Sequence, residues 1–149
     1  KKIYKDSITI SKEQLQDFSI LYLVINNFNF FKSNSILLTN LNFITTKGKE
    51  VLYQVIEIIK SNDEINLDML PIDKGMLEKI NKFASVKHIS KNIQRDEDKI
   101  KEIFSEMKKD LKNLILERQI LELESKFSKN MDQTTLDEII ELKKLQNNN

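Results

Sequence analysis

A chain of 149 residues with 40% hydrophobic and 32% charged side chains has the make-up of a soluble globular protein, one domain or one domain with an appendage. A net charge of +1 gives no global field to attract nucleic acid or an anionic membrane, and zero cysteine excludes a disulfide framework and thiolate metal sites. Two Gly and one Pro leave little turn material for a β-sandwich or barrel, so an all-α fold is favoured.

Residues Lys1 to Ile10 read as a loosely held lead-in. Ser11 and Gln14 have capping-box spacing and open a helix that runs to about Asn27. Its apolar positions Leu15, Phe18, Tyr22 and Ile25 follow helical spacing, and Ile20, Leu21, Leu23 and Val24 nearly complete the circle. A helix apolar almost all round is expected at the centre of a bundle. A shorter helix is predicted over Asn29 to Leu38. Thr45 or Thr46 then caps a third, with Val51, Leu52, Val55, Ile56 and Ile59 as its buried stripe. After a polar break at Ser61 to Glu64, residues Asn66 to Leu70 make one turn before Pro71. Met76, Leu77, Ile80, Phe83 and Ala84 mark an amphipathic helix, and Lys87 to Gln94 a connector.

Asp96 is the expected N-cap of a long helix reaching Asn130, roughly 50 Å at about 1.5 Å per residue. Its apolar face changes sides along the way. At about 100° per residue, Ile100, Ile103, Phe104, Met107, Leu111 and Leu114 share one stripe, and Leu116, Ile120, Leu123 and Phe127 share another roughly 180° away. Such a helix belongs to two cores. Asn130 is expected to end it in the left-handed conformation, and Thr135 with Glu138 to cap the last helix. Beyond Gln146 the chain should fray. The predicted architecture is all-α, an N-terminal helical bundle (1–112) followed by a long helix and a C-terminal helical hairpin (113–149) that docks a partner.

The candidate chemistry is sparse. His88 is the single histidine, has no second His or Cys to form a zinc set, and reads as a surface residue. Asp96 and Asp98 have a spacing that can hold Mg²⁺, but they open a helix, where the dipole favours negative charge. Phe28, Phe30 and Phe31 beside Lys32 could form a stacking platform for single-stranded nucleic acid, yet bundle packing accounts for them better. Lys108, Lys109 and Lys112 are interleaved with Glu106 and Asp110 and read as a solvated face. No phosphate loop, nucleophile elbow or His-Glu-x-x-His is present. The expectation is a binding module with no catalytic residue, metal or cofactor.

The longest apolar run, Ile20 to Ile25, is far short of the roughly 20 residues that cross a bilayer. A start at Lys1-Lys2 suggests a piece of a longer polypeptide, and the lack of cysteine fits a reducing cytoplasm. Arg is confined to Arg95 and Arg118 while Ile, Lys and Asn abound, which reads as genome bias.

Three stretches carry a family likeness. They are Ile20-Leu-Tyr-Leu-Val-Ile-Asn-Asn-Phe28, then Leu41-Asn-Phe43 with the helix around Val51 to Ile59, and finally Leu116-Glu-Arg-Gln-Ile120 through Thr135-Leu-Asp-Glu-Ile-Ile-Glu-Leu-Lys-Lys-Leu145. Their layout resembles the C-terminal helicase-binding domain of bacterial DNA primases. Asn27-Phe28 stands where that family has His-Pro, and the primase catalytic domains have no counterpart. The resemblance implies a primase fragment that docks on the N-terminal domains of the hexameric replicative helicase, brings primer synthesis to the fork and modulates the helicase. Alternatives are the helicase's own N-terminal domain, which is similar in architecture, and an unrelated helical adaptor.

The expected contact surface is the last helix, where Leu136, Ile139 and Ile140 lie on one arc and Leu142 and Leu145 on the next. Together the arcs span roughly 220°, more than the ~100° a helix usually turns to its core. Arg118, Lys143 and Lys144 would form its polar rim. Strong nucleic-acid binding and membrane association are not expected, and weak self-association through the hairpin is compatible with this surface.

Overall fold

The computed structural model describes residues 11–83 and 96–148. Among them are six α-helices: α1 (Lys12–Ile25), α2 (Phe28–Ser33), α3 (Thr46–Ser61), α4 (Lys74–Phe83), α5 (Glu97–Asn130) and α6 (Gln133–Asn147). Short 3-10 turns cover Ser35–Leu38 and Leu67–Met69, and no strand occurs among the described residues. The lead-in Lys1 to Ile10, Ala84, the connector Lys87 to Gln94 and His88 lie outside the described residues. The chain divides into two compact units, Lys1–Lys108 and Lys109–Asn149, and α5 passes from one into the other.

In the first unit, α1 starts on a complete capping box. The Gln14 amide donates to Ser11 Oγ at 3.1 Å, and the Ser11 amide donates to Gln14 Oε1 at 3.0 Å. Every side chain from Asp17 to Ile25 is buried, as a helix apolar almost all round requires. It ends at two asparagines that compete with the backbone for the last carbonyls. Asn26 Nδ2 donates to the Tyr22 carbonyl and Asn27 Nδ2 to the Leu23 carbonyl, both at 2.8 Å. Helices α3 and α4 both pack against α1.

The single helix expected over Asn29 to Leu38 is instead two pieces. Asn34 leaves helical geometry and its side chain donates to the Phe30 carbonyl at 2.9 Å, so α2 stops there and a 3-10 turn follows. Phe28, Phe30 and Phe31 are buried. Phe31 meets Phe30 and Phe104 edge-on, with ring centroids 5.0 and 5.2 Å away. These rings belong to the core and cannot serve as a stacking platform.

Thr45 caps α3 by accepting from the Gly48 amide at 3.0 Å, and Val51, Leu52, Val55 and Ile59 are buried beneath it. Asp73 caps α4 through Met76, with Ile80 buried and Met76 and Leu77 half-buried. Asp96 Oδ1 accepts from the Lys99 amide at 3.2 Å at the head of α5. Within the same unit, Gln16 Nε2 reaches the Met107 carbonyl of α5 at 3.0 Å.

Burial along α5 changes phase as the apolar pattern predicts. Ile100, Phe104, Met107, Leu111 and Leu114 are buried on one stripe, and Leu116 and Ile120 are buried on the opposite one. Asn130 remains helical, so the left-handed residue is Met131, with φ 47°. Its amide donates to the Phe127 carbonyl at 2.7 Å. The cap of α6 is Asp132, which accepts from the Thr134 amide at 3.1 Å. Thr135, expected to be that cap, sits in the first turn and is buried, its hydroxyl 3.3 Å from Asp132 Oδ2.

Candidate docking surface

The second unit is a hairpin with a short repeat. Buried or half-buried positions recur at 116, 120, 123 and 127 on α5, and at 135, 139, 142 and 146 on α6. This 4-3-4 spacing is about one and a half heptads of seam on each helix. Met131 and Asp132 are the whole connection, so the helices run antiparallel. Lys143 Nζ of α6 lies 3.8 Å from Glu124 Oε2 of α5, a contact on the flank of the seam.

The seam uses only part of α6. Ile139 is 5% exposed and fills the hairpin's own interior, so it cannot meet a partner without opening the hairpin. Leu136 and Leu142 are half-buried at its edges. Ile140 at 43%, Leu145 at 54% and, on α5, Leu121 at 61% stay open to solvent. A thin two-helix element has one face for its partner helix, and the remaining apolar side chains have nowhere else to go.

The basic rim expected around this surface is partly engaged. Lys143 is held by Glu124, and Lys144 Nζ lies 3.4 Å from Glu141 Oε1, while Arg118 is exposed. A feature that the apolar pattern does not show is an open groove of about 390 Å³ on α6, lined by Thr134, Asp137, Glu138, Glu141 and Leu142. Residues 134, 138, 141 and 145 lie on one line of the helix, so Leu145 extends that groove by a turn. The signal was present as carboxylates spaced three and four residues apart beside Leu142 and Leu145.

In the first unit the buried ionisable group is Asp17. Its Oδ2 accepts from the Thr45 hydroxyl at 2.6 Å and the Thr45 amide at 3.0 Å, and Oδ1 from the Ile44 amide at 3.4 Å. Burial pushes its pKa above the ordinary 3.8, and the bonds from Thr45 and Ile44, with the Lys49 charge, oppose that rise. The carboxylate sits at the positive end of α3. Lys32 Nζ donates to the Ile59 carbonyl at 2.7 Å, at the other end of the same helix. Each group has its structural partner, so this pair braces a helix.

A smaller cavity of about 140 Å³ lies against α3, bordered by Lys47 and Glu50, which pair with each other at 3.5 Å. Among the described residues no group of three or more His, Asp or Glu side chains is placed to hold a metal ion, and no helix is long and apolar enough to cross a membrane. Compared with protein-family models, curated proteins and solved structures, the chain finds no match.

Proposed function

We propose that this chain is a protein-docking module whose hairpin carries the contact surface. We further propose that its partner is the N-terminal collar of a hexameric replicative helicase, in the role that the resemblance to the bacterial primase domain implies. Recruiting primase for primer synthesis and modulating the helicase would follow from that contact. The observation supporting the reading is the exposure of Leu121, Ile140 and Leu145 on a hairpin whose seam is already filled by Leu116, Ile120 and Ile139. We read these exposed aliphatic side chains as anchors of an interaction surface.

The test is co-elution of this chain with the purified hexameric helicase of its own organism, followed by titration calorimetry. Leu142 is half-buried and its removal would loosen the hairpin, so Ile140→Ser with Leu145→Ser is the informative pair. Anchors worth on the order of 1–2 kcal/mol each predict at least a tenfold loss of affinity, with melting unchanged. No complex with the parent chain, or undiminished binding by the double variant, would refute the assignment.

A further inference from the structure

The groove on α6 has a character that the apolar pattern alone does not reveal. Its apolar lining is Leu142, and helical spacing puts the exposed Leu145 one turn further along the same line of α6. Around it stand Thr134, Asp137, Glu138 and Glu141, with three carboxylates within two turns of the one helix. Of these, Glu141 has Lys144 as a neighbour, and Asp137 Oδ1 accepts from Gln133 Nε2 at 3.0 Å. Among the described residues no ammonium or guanidinium group pairs with Asp137 or Glu138. Lys143 is on the opposite flank of α6, where it meets Glu124.

We propose that this groove seats a basic amphipathic helix of a protein partner, with one aliphatic side chain entering against Leu142 and Leu145 and Lys or Arg side chains a turn away meeting the carboxylates. The proposal rests on the hairpin being the docking element and adds the chemistry of what docks. An apolar lining requires an apolar anchor, because a polar one would be desolvated without a partner. The carboxylates select against acidic segments, phosphate backbones and anionic lipid surfaces by like-charge repulsion. A helix satisfies both demands at once, since residues three and four apart share a face. The carboxylates are exposed and screened by salt, so they act mainly on partner choice and on association rate.

The experiment is an NMR titration of the isotopically labelled full chain with an amphipathic peptide of Leu and Lys, about 18 residues or five turns long. A twin peptide with Glu in place of each Lys is titrated in parallel. The Lys peptide is expected to shift the amides of residues 134–146 and to bind at least tenfold more tightly than its twin, with the preference shrinking at high salt. The triple variant Asp137→Lys, Glu138→Lys, Glu141→Lys is expected to reverse the preference and take the Glu peptide. Circular dichroism checks that it keeps its helix. Equal binding of both peptides, shifts centred on Leu121 and Ile140, no saturable binding, or no reversal in the triple variant would each overturn the proposal. So would concentration-dependent self-association broadening the same amides without peptide, because a second copy of the chain would then be the occupant. Helicase binding is scored separately. A seated Lys peptide with no helicase complex keeps the groove and discards the helicase. A helicase complex indifferent to the triple variant, with no seated peptide, does the opposite.

Discussion

Replacing Gly48 by alanine separates two opposed expectations. Gly48 lies in the first turn of α3, where helix propensity alone predicts that alanine stabilises by up to about 1 kcal/mol. A Cβ at this position would stand 2.5 Å from Asp17 Oδ2 and 2.7 Å from Thr45 Oγ1. Asp17 would have to withdraw by about 0.9 Å to restore an ordinary contact of 3.4 Å. That movement breaks or badly stretches the bonds that Oδ2 accepts from the Thr45 amide and hydroxyl. A hydrogen bond to a charged group contributes about 1.5–3 kcal/mol, so losing two and regaining the propensity term leaves a net loss of about 2–5 kcal/mol. The assay is urea denaturation followed by circular dichroism, run on Gly48→Ala, Asp17→Ala and the pair. Once the carboxylate is gone the closest of the two clashes is relieved and the contact with Thr45 Oγ1 is left, so adding the methyl group should cost much less in the Asp17→Ala background than in the parent. That non-additivity should amount to at least about 1.5 kcal/mol. A Gly48→Ala chain as stable as the parent, or strictly additive losses, would refute the reasoning.

The Asp17 carboxyl binds its proton more tightly in the folded chain than in the unfolded one. Its share of stability is therefore fully present below pH 3.8 and is lost as pH rises through the raised folded value, so the advantage of the parent over Asp17→Asn should widen on acidification from neutrality in paired urea melts. Met131→Gly should stabilise the hairpin by about 0.5–1 kcal/mol, because glycine carries no steric penalty at φ 47°; thermal melting checks this, and an unchanged or lowered midpoint contradicts it. The Lys143–Glu124 pair, about half-exposed on both sides, should show a coupling of no more than about 0.5 kcal/mol in a double-mutant cycle, falling further in high salt.

Much of the helical layout was legible because periodicity reports burial directly. The stripe of α3, the all-round burial of α1 and the change of face between Leu114 and Leu116 each need only the 3.6-residue repeat. The caps at Ser11, Thr45 and Asp96 were legible because the side chain and its amide lie within three residues. What escaped depends on distance or on small competitions. Asp17 sits among apolar neighbours and finds its partners 27 and 28 residues away, beyond any local pattern. Asn34 splits one predicted helix by leaving helical geometry while its side-chain and backbone amides both donate to the Phe30 carbonyl, a local arrangement that no stripe of apolar residues records. At the other end of the chain Asp132 took the capping role from Thr135, since both carry suitable oxygens and only the turn geometry decides between them. On the hairpin the apolar arcs were visible, but their division into seam and open surface was not. That division depends on the rotation of α6 against α5, which leaves Ile139 inside and Leu145 outside.

The two charged side chains at the ends of α3 bear on which of several bundles this chain can form. Apolar stripes are nearly indifferent to direction, since a helix turned end for end can still lay Val51, Val55 and Ile59 against the same neighbours. Asp17 and Lys32 are not indifferent. They lie only fifteen residues apart in the chain, and they meet the positive and the negative end of α3 respectively. Turning α3 around would bring a buried carboxylate against unpaired carbonyls and an ammonium group against unpaired amides, a double penalty in a poorly hydrated interior. The pair thus acts as a polarity key. It adds modestly to the stability of the observed arrangement and weighs heavily against its reversed competitor, giving a small helical bundle one direction for α3.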